Sequence, residues 1–151
     1  MRNACIEGTY FIKAPQEEVY ELLTDFANFP IYFPRLVRSV RVISRDGNHL
    51  VIRAQTKAFW LSKVFDVDMD TTLQPENGFT SINTSSVGTE HESMRFERVP
   101  GGTRIVYRNE FQLDSLFFRL FGCFVKGIIA RYWERVMLGK IREMLETEQA
   151  G

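Results

Sequence analysis

The chain has 151 residues, 19 Lys+Arg against 19 Asp+Glu, 44% hydrophobic residues and 20 aromatics, of which 13 are Phe. A chain of this length buries about 68–70% of its unfolded surface, so it needs neither disulfide nor metal to fold. Zero net charge gives no general attraction to nucleic acid or to an anionic membrane, and nucleic acid is not expected as a partner.

Residues 5–13 alternate, with Ile6, Gly8, Tyr10 and Ile12 on one face and Glu7, Thr9 and Lys13 on the other, the pattern of a half-buried strand. Ala14-Pro15 then opens a helix: Pro15 suits a first helical position, and Glu17 and Glu18 suit the positive end of the helix dipole. Val19, Leu22, Leu23 and Phe26 form its apolar stripe, and Asn28 to Pro34 reads as a second short helix or turn. Turn signals at Asp46-Gly47-Asn48, Pro75-Glu76-Asn77-Gly78 and Pro100-Gly101-Gly102 separate strands predicted at 36–44, 49–57, 63–74, 79–86, 90–98 and 103–113. Asp114 caps a long helix expected to run to about 147.

Hairpin registers follow from the turns. Centring one hairpin near 58–62 sets Ile52 against Met69, Ala54 against Val67 and Thr56 against Phe65 on one face, with Arg53 against Asp68 on the other. Centring the last on Pro100-Gly101 sets Phe96 against Ile105, Met94 against Tyr107 and Glu92 against Asn109, with Glu97 facing Arg104 outside. One face is apolar and the other carries opposite charges, as cross-strand pairing asks of an antiparallel meander.

The segments Tyr10-Phe11-Ile12-Lys13-Ala14-Pro15, Asp25-Phe26-Ala27-Asn28-Phe29-Pro30 and Pro34-Arg35-Leu36-Val37-Arg38 carry a resemblance. With the order of elements, they make the chain resemble the START-like superfamily of polyketide cyclases, birch-allergen-like proteins and lipid carriers. The resemblance implies an α+β helix-grip fold over one domain, 1–151. Its seven-stranded antiparallel sheet wraps a long C-terminal helix, with two short helices between strands 1 and 2. It also implies a cavity between sheet and helix. Fold alone does not decide among that superfamily's activities.

Alternation nominates the inward strand residues as ligand-binding: Arg38, Ile52, Ala54, Phe65, Val67, Met69, Ile82, Thr84, Glu92, Met94, Phe96, Tyr107 and Asn109. Phe121, Val125 and Ile129 join them from the helix. The bland reading of the apolar members is a dry core. Arg38 and Glu92 are charged, so each must pair, reach solvent or meet a ligand. The stripe Phe118, Gly122, Val125, Ile129, Trp133, Met137, Ile141 and Met144 suits packing on the sheet. Connections at one end of the meander bring Phe33, Phe59, Trp60, Leu61, Phe117 and Phe118 together as an aromatic rim, either a cavity mouth or a self-covered end.

The leading expectation is a noncatalytic module that binds or carries a hydrophobic small molecule: a lipid, an isoprenoid or a polyketide-like compound. A polyketide cyclase or dehydratase is the alternative, with Tyr107, Glu92 or Arg38 as acid or base. A ribosome-associating toxin-like module is a third, disfavoured by the neutral charge. No catalytic residue is assigned, and no metal or cofactor is expected, since Asp66, Asp68 and Asp70 lie on a regular strand opposite Arg53. Cys5 and Cys123 form no motif and read as reduced thiols, and the first residues lack the apolar run of a secretory leader, so a cytoplasmic location is expected. Transient membrane contact through the rim and a monomeric or weakly dimeric state complete the expectations.

Overall fold

The computed structural model describes residues 3–58, 63–86, 88–113, 127–128, 130–132 and 134–149. Strands β1 (Asn3–Ile12), β2 (Val37–Asp46), β3 (His49–Ala58), β4 (Lys63–Gln74), β5 (Gly78–Ser85), β6 (Gly88–Val99) and β7 (Gly102–Leu113) form one antiparallel sheet. Their order is β1-β7-β6-β5-β4-β3-β2, so the meander closes by bringing β1 alongside β7. Between β1 and β2 lie α1 (Gln16–Thr24), a 3-10 turn (Phe26–Asn28) and α2 (Phe29–Tyr32). The C-terminal helix is described at its far end, as a π-helical turn (Glu134–Leu138) running into α3 (Gly139–Gln149). No helix among the described residues is long and apolar enough to cross a membrane.

The expected pairs hold: Ile52–Met69, Ala54–Val67, Thr56–Phe65 and Arg53–Asp68 between β3 and β4, and Phe96–Ile105, Met94–Tyr107 and Glu92–Asn109 between β6 and β7. Side chains repeat every second residue along a strand, so these registers decide which residues face the core. Ile12, Ile52, Phe96 and Ile105 point inward and are fully buried. The outer face carries exposed ion pairs, Arg53–Asp68 and Arg104–Glu97 at 2.9 Å, and a His49–Asp70 hydrogen bond at 2.6 Å, each contributing little on its own.

Helix α1 starts one residue later than expected, because Pro15 keeps an extended backbone and serves as its cap. Its Val19, Leu22 and Leu23 are buried, at about 1.5–3 kcal/mol each. The Phe26 ring meets Phe79 edge-on at 5.3 Å, and Tyr20 meets Phe96 at 6.3 Å. Gln16 ties the helix start to the sheet: its Nε2 donates to the Glu76 carbonyl at 2.8 Å and to the Phe96 carbonyl at 3.0 Å. These contacts close the sheet end that bears the 75–77 and 100–101 turns.

The C-terminal helix follows the expected stripe at Ile141 and departs from it at Met137 and Met144. A π turn holds one residue more than an α turn, so it advances the helix phase by one position. The buried positions become Leu138, Ile141 and Leu145, while Met137 and Met144 pack at the flank. Tyr10, whose ring lies where a Cβ on Gly8 would stand, donates from its hydroxyl to Glu134 at 3.1 Å. Lys13 N donates to Glu146 and Arg142 to the Phe11 carbonyl, so β1 and the helix end are joined at three points.

Gly78 is the residue the β4–β5 turn cannot replace. Its φ is +137°, and a Cβ would stand 1.9 Å from the Met94 carbonyl oxygen. Gly78→Ala is expected to destabilise the protein by about 2 kcal/mol or more, read as an earlier midpoint in urea unfolding. An unchanged midpoint would mean that the turn can shift away.

Candidate functional site

The inner face of the sheet is apolar at the end covered by α1 and polar across its middle. One row of cross-strand neighbours runs Leu50, Thr71, Ser81, Glu92, Asn109 and Ile6, from β3 to β1. The next runs Ile52, Met69, Asn83, Glu90 and Phe111. These rows bring Thr71, Ser81, Asn83, Glu90, Glu92 and Asn109 together on the inner face, with Tyr107 beside them.

They are joined by hydrogen bonds. Ser81 Oγ donates to Asn83 Oδ1 at 2.7 Å, which leaves the Ser81 oxygen to accept from Thr71 at 2.8 Å. Tyr107 donates to Glu92 Oε2 at 3.1 Å, and Asn109 Nδ2 donates to the Tyr107 oxygen at 3.0 Å. The Asn83 and Asn109 amides support Glu90, and Asn83 also supports Glu92. Asn109 is 4% exposed, and its Oδ1 is buried with no hydrogen-bond partner. Such an orphan acceptor costs about 1–3 kcal/mol.

The two glutamates are half-buried as residues, but their carboxyls lie deep. Burial lifts Glu92 from the ordinary 4.5 to about 7, with the neighbouring Glu90 charge adding to the effect. Glu90 is raised as well, again by burial first. The Tyr107 hydroxyl is pushed well above its usual 10, by burial and then by Glu92. No lysine or arginine among the described residues offsets either carboxylate. The site can therefore hold or hand over a proton near neutral pH, and it presents acceptors to anything placed against it.

Of the residues expected to bind a ligand, Ile52, Ala54, Met94, Phe96, Tyr107 and Asn109 are buried on the inner face. Phe65, Val67, Met69 and Glu92 share that face half-buried. Ile82 and Thr84 do not: they pair with Asp70 and Asp68 and stand on the outer face, with Ile82 47% exposed. The phase of β5 is set by Phe79, which is buried, so Ser81 and Asn83 point inward instead. Beyond the Asp68–Thr84 pair, β4 and β5 separate around an open depression of about 370 Å³ lined from both faces, by Phe65 and by Asp66, Asp68 and Thr84.

Arg38 is also exposed rather than inward. Val37 pairs with Thr56 and Ser39 with Gln55, so Arg38 is the extra residue of a β-bulge and loses the alternation. Phe33, expected at the rim, is 2% exposed and packs its ring at 5.2 Å from Phe29. The other rim residues, Phe59, Trp60, Leu61, Phe117 and Phe118, and the helix residues Phe121, Val125 and Ile129 lie outside the described residues. Sequence reasoning missed Ser81, Asn83 and Glu90; the signals were Phe79 two residues before Ser81, and Glu90 two residues before Glu92.

The family described as polyketide cyclase / dehydrase and lipid transport matches residues 3–146. The chain belongs to that family, within the START-like proteins. TTHA0849, a protein from Thermus thermophilus, has the same fold at 22% identity and a TM-score of 0.79, over 93% of this chain and 95% of that one. A START superfamily protein from Mycobacterium smegmatis matches at 12% identity and 0.79, over 95% and 97%. The di-domain ARO/CYC BexL of the BE-7585A biosynthetic pathway matches at 19% identity and 0.79, over 95% of this chain but 50% of its own length. No protein of curated function matches the sequence.

Because Glu92 is raised in the folded chain, the folded state favours its protonated form. Its contribution is fully present below about pH 4.5 and is lost as pH rises through about 7, a change of about 3 kcal/mol. Glu90 and Glu92 titrate as a pair, so the loss spreads over both. Urea unfolding from about pH 5 to pH 8 should show the wild type losing stability relative to Glu92→Gln. A difference that stays constant with pH would mean that the carboxyl reaches water.

Proposed function

We propose that the protein binds a hydrophobic small molecule between the inner face of the sheet and the C-terminal helix, holding its polar end against the Glu92–Tyr107–Asn109 cluster. One observation carries this reading: a row of buried polar groups with an unsatisfied acceptor, set in an inner face otherwise built of Ile52, Ala54, Met69, Met94 and Phe96. A core serving stability alone gains nothing from two carboxylates that no cation among the described residues offsets. The family description, which includes lipid transport, supports the same reading. Uptake from a membrane through the aromatic segments around Trp60, in the cytoplasm, belongs to the proposal.

The test is titration of the folded chain with N-phenyl-1-naphthylamine, an apolar fluorophore that is neutral at pH 7. The expected affinity is micromolar, about −8 kcal/mol. Ala54→Trp projects a large ring from the buried centre of the inner face and should weaken binding at least tenfold, about 1.4 kcal/mol. Absence of binding by the folded wild type, or equal binding by Ala54→Trp, would count against the site.

The second reading is a cyclase or dehydratase. The observation favouring it is Glu92, lifted to about 7 and hydrogen-bonded to Tyr107, the condition of a general acid or base working at neutral pH. Under this reading, Glu92→Gln abolishes turnover of a poly-β-ketone while leaving fluorophore affinity unchanged. If the wild type yields no product above the uncatalysed rate, the binding reading stands alone.

A further inference from the structure

The hydrogen-bond inventory of the inner cluster is one-sided. Tyr107 commits its single proton to Glu92. The Asn109 amide donates to Tyr107 and supports Glu90, and the Asn83 amide supports Glu90 and Glu92. Ser81 donates to Asn83, and Thr71 to Ser81. Every donor is committed. The acceptors are not: Asn109 Oδ1 has no partner, and each carboxylate offers about four lone-pair sites.

Charge is one-sided in the same way. Glu90 and Glu92 stand two residues apart on one face of β6, as inward neighbours. Their outward neighbour His91 lies opposite Glu110. The arginines of the adjoining strands, Arg53, Arg95, Arg104 and Arg108, are engaged on the outer face with Asp68, Glu97, Glu7 and Glu110. No described cation faces the cluster from the strands that carry it. When ionised, a buried acidic pair of this kind is complete only if something else brings the positive charge and the protons to share.

Resting on the binding reading above, we infer that the ligand is an apolar amine, whose protonated nitrogen meets Asn109 Oδ1, Glu90 and Glu92 while its hydrocarbon part lies along the apolar inner face. An ammonium group has three N–H donors and no acceptor, the complement of what the cluster offers. A carboxylate head would meet two like charges and the orphan oxygen. A hydroxyl head would satisfy the orphan oxygen but leave the charge unmatched. A long apolar tail suits Met69, Met94 and Ile52, which flank the polar rows.

The experiment is calorimetric titration of the full chain at about pH 7.5 with decylamine, decanol and decanoate, each below its aggregation threshold. Decylamine is expected to bind about tenfold or more tighter than the other two, since hydrogen bonds to charged groups are the strong ones. Glu90→Gln combined with Glu92→Gln should erase that preference, so that decylamine binds no more tightly than decanol. Asn109→Leu, which removes the orphan acceptor together with the amide that supports Glu90, should weaken decylamine more than decanol; near-ultraviolet circular dichroism shows that each variant is folded. If decanol or decanoate binds as tightly as decylamine, or the preference survives in the double Gln variant, the amine inference is overturned and the apolar site stands. If none of the three binds the folded wild type, both fall.

Discussion

Strand register is the constraint on which everything else rests. β6 is paired along its length with β5 on one side and β7 on the other. A slip of one residue would turn His91, Ser93 and Arg95 inward and send Glu92, Met94 and Phe96 to solvent. The α1 end of the sheet prevents this. Gln16 grips the Glu76 and Phe96 carbonyls, and Phe96 N donates to the Asn77 carbonyl at 2.8 Å. A local turn and a distant helix start thereby fix the acids of the polar band along the same strand.

That arrangement separates two tasks along one sheet. Near the tight turns, Phe79, Met94, Phe96 and Ile105 pack against α1 and give the fold its hydrophobic stability. Towards the other end, the inward positions turn to Asn83, Glu90 and Asn109, which lower stability by being buried. Neighbouring amides and a phenol hold these groups in place rather than neutralising them. The result is a region of high local field backed by a rigid apolar layer, the condition under which a polar group keeps its orientation while its partner comes and goes.

The sequence made the fold readable because its turns are unambiguous and its two faces differ in charge. Pro100-Gly101 centres the β6–β7 hairpin, where Glu97 opposite Arg104 confirms the register, and Arg53 opposite Asp68 does the same between β3 and β4. Reading failed where alternation fails. Arg38 sits in a bulge, so its neighbours' phase does not apply to it. In β5 the largest aliphatic, Ile82, faces outward, and two small polar residues face in, so hydrophobicity pointed the wrong way. In the C-terminal helix Ile141 keeps its place in the stripe, while burial passes from Met137 and Met144 to Leu138 and Leu145 beside a π turn that leaves no mark in an apolar pattern. Glu92, Tyr107 and Asn109 were visible as inward polar residues. Their mutual hydrogen bonds, and the unsatisfied oxygen among them, depend on side-chain geometry that no spacing encodes.

The bulge at Arg38 has an effect at the outer margin of the sheet. Among the described strands β2 is an edge strand, paired on one side only, and it exposes Val42 and Ile43. A flat edge of that kind would accept a strand from another molecule and start a growing ribbon. Here the ladder with β3 is broken twice, between Val37 and Ser39 and again between Val42 and Ser44. Each break bends the strand, and the exposed Arg38, Arg41 and Arg45 set like charges along it. The irregularity that removes Arg38 from the interior also denies the edge the straightness that intermolecular zippering requires.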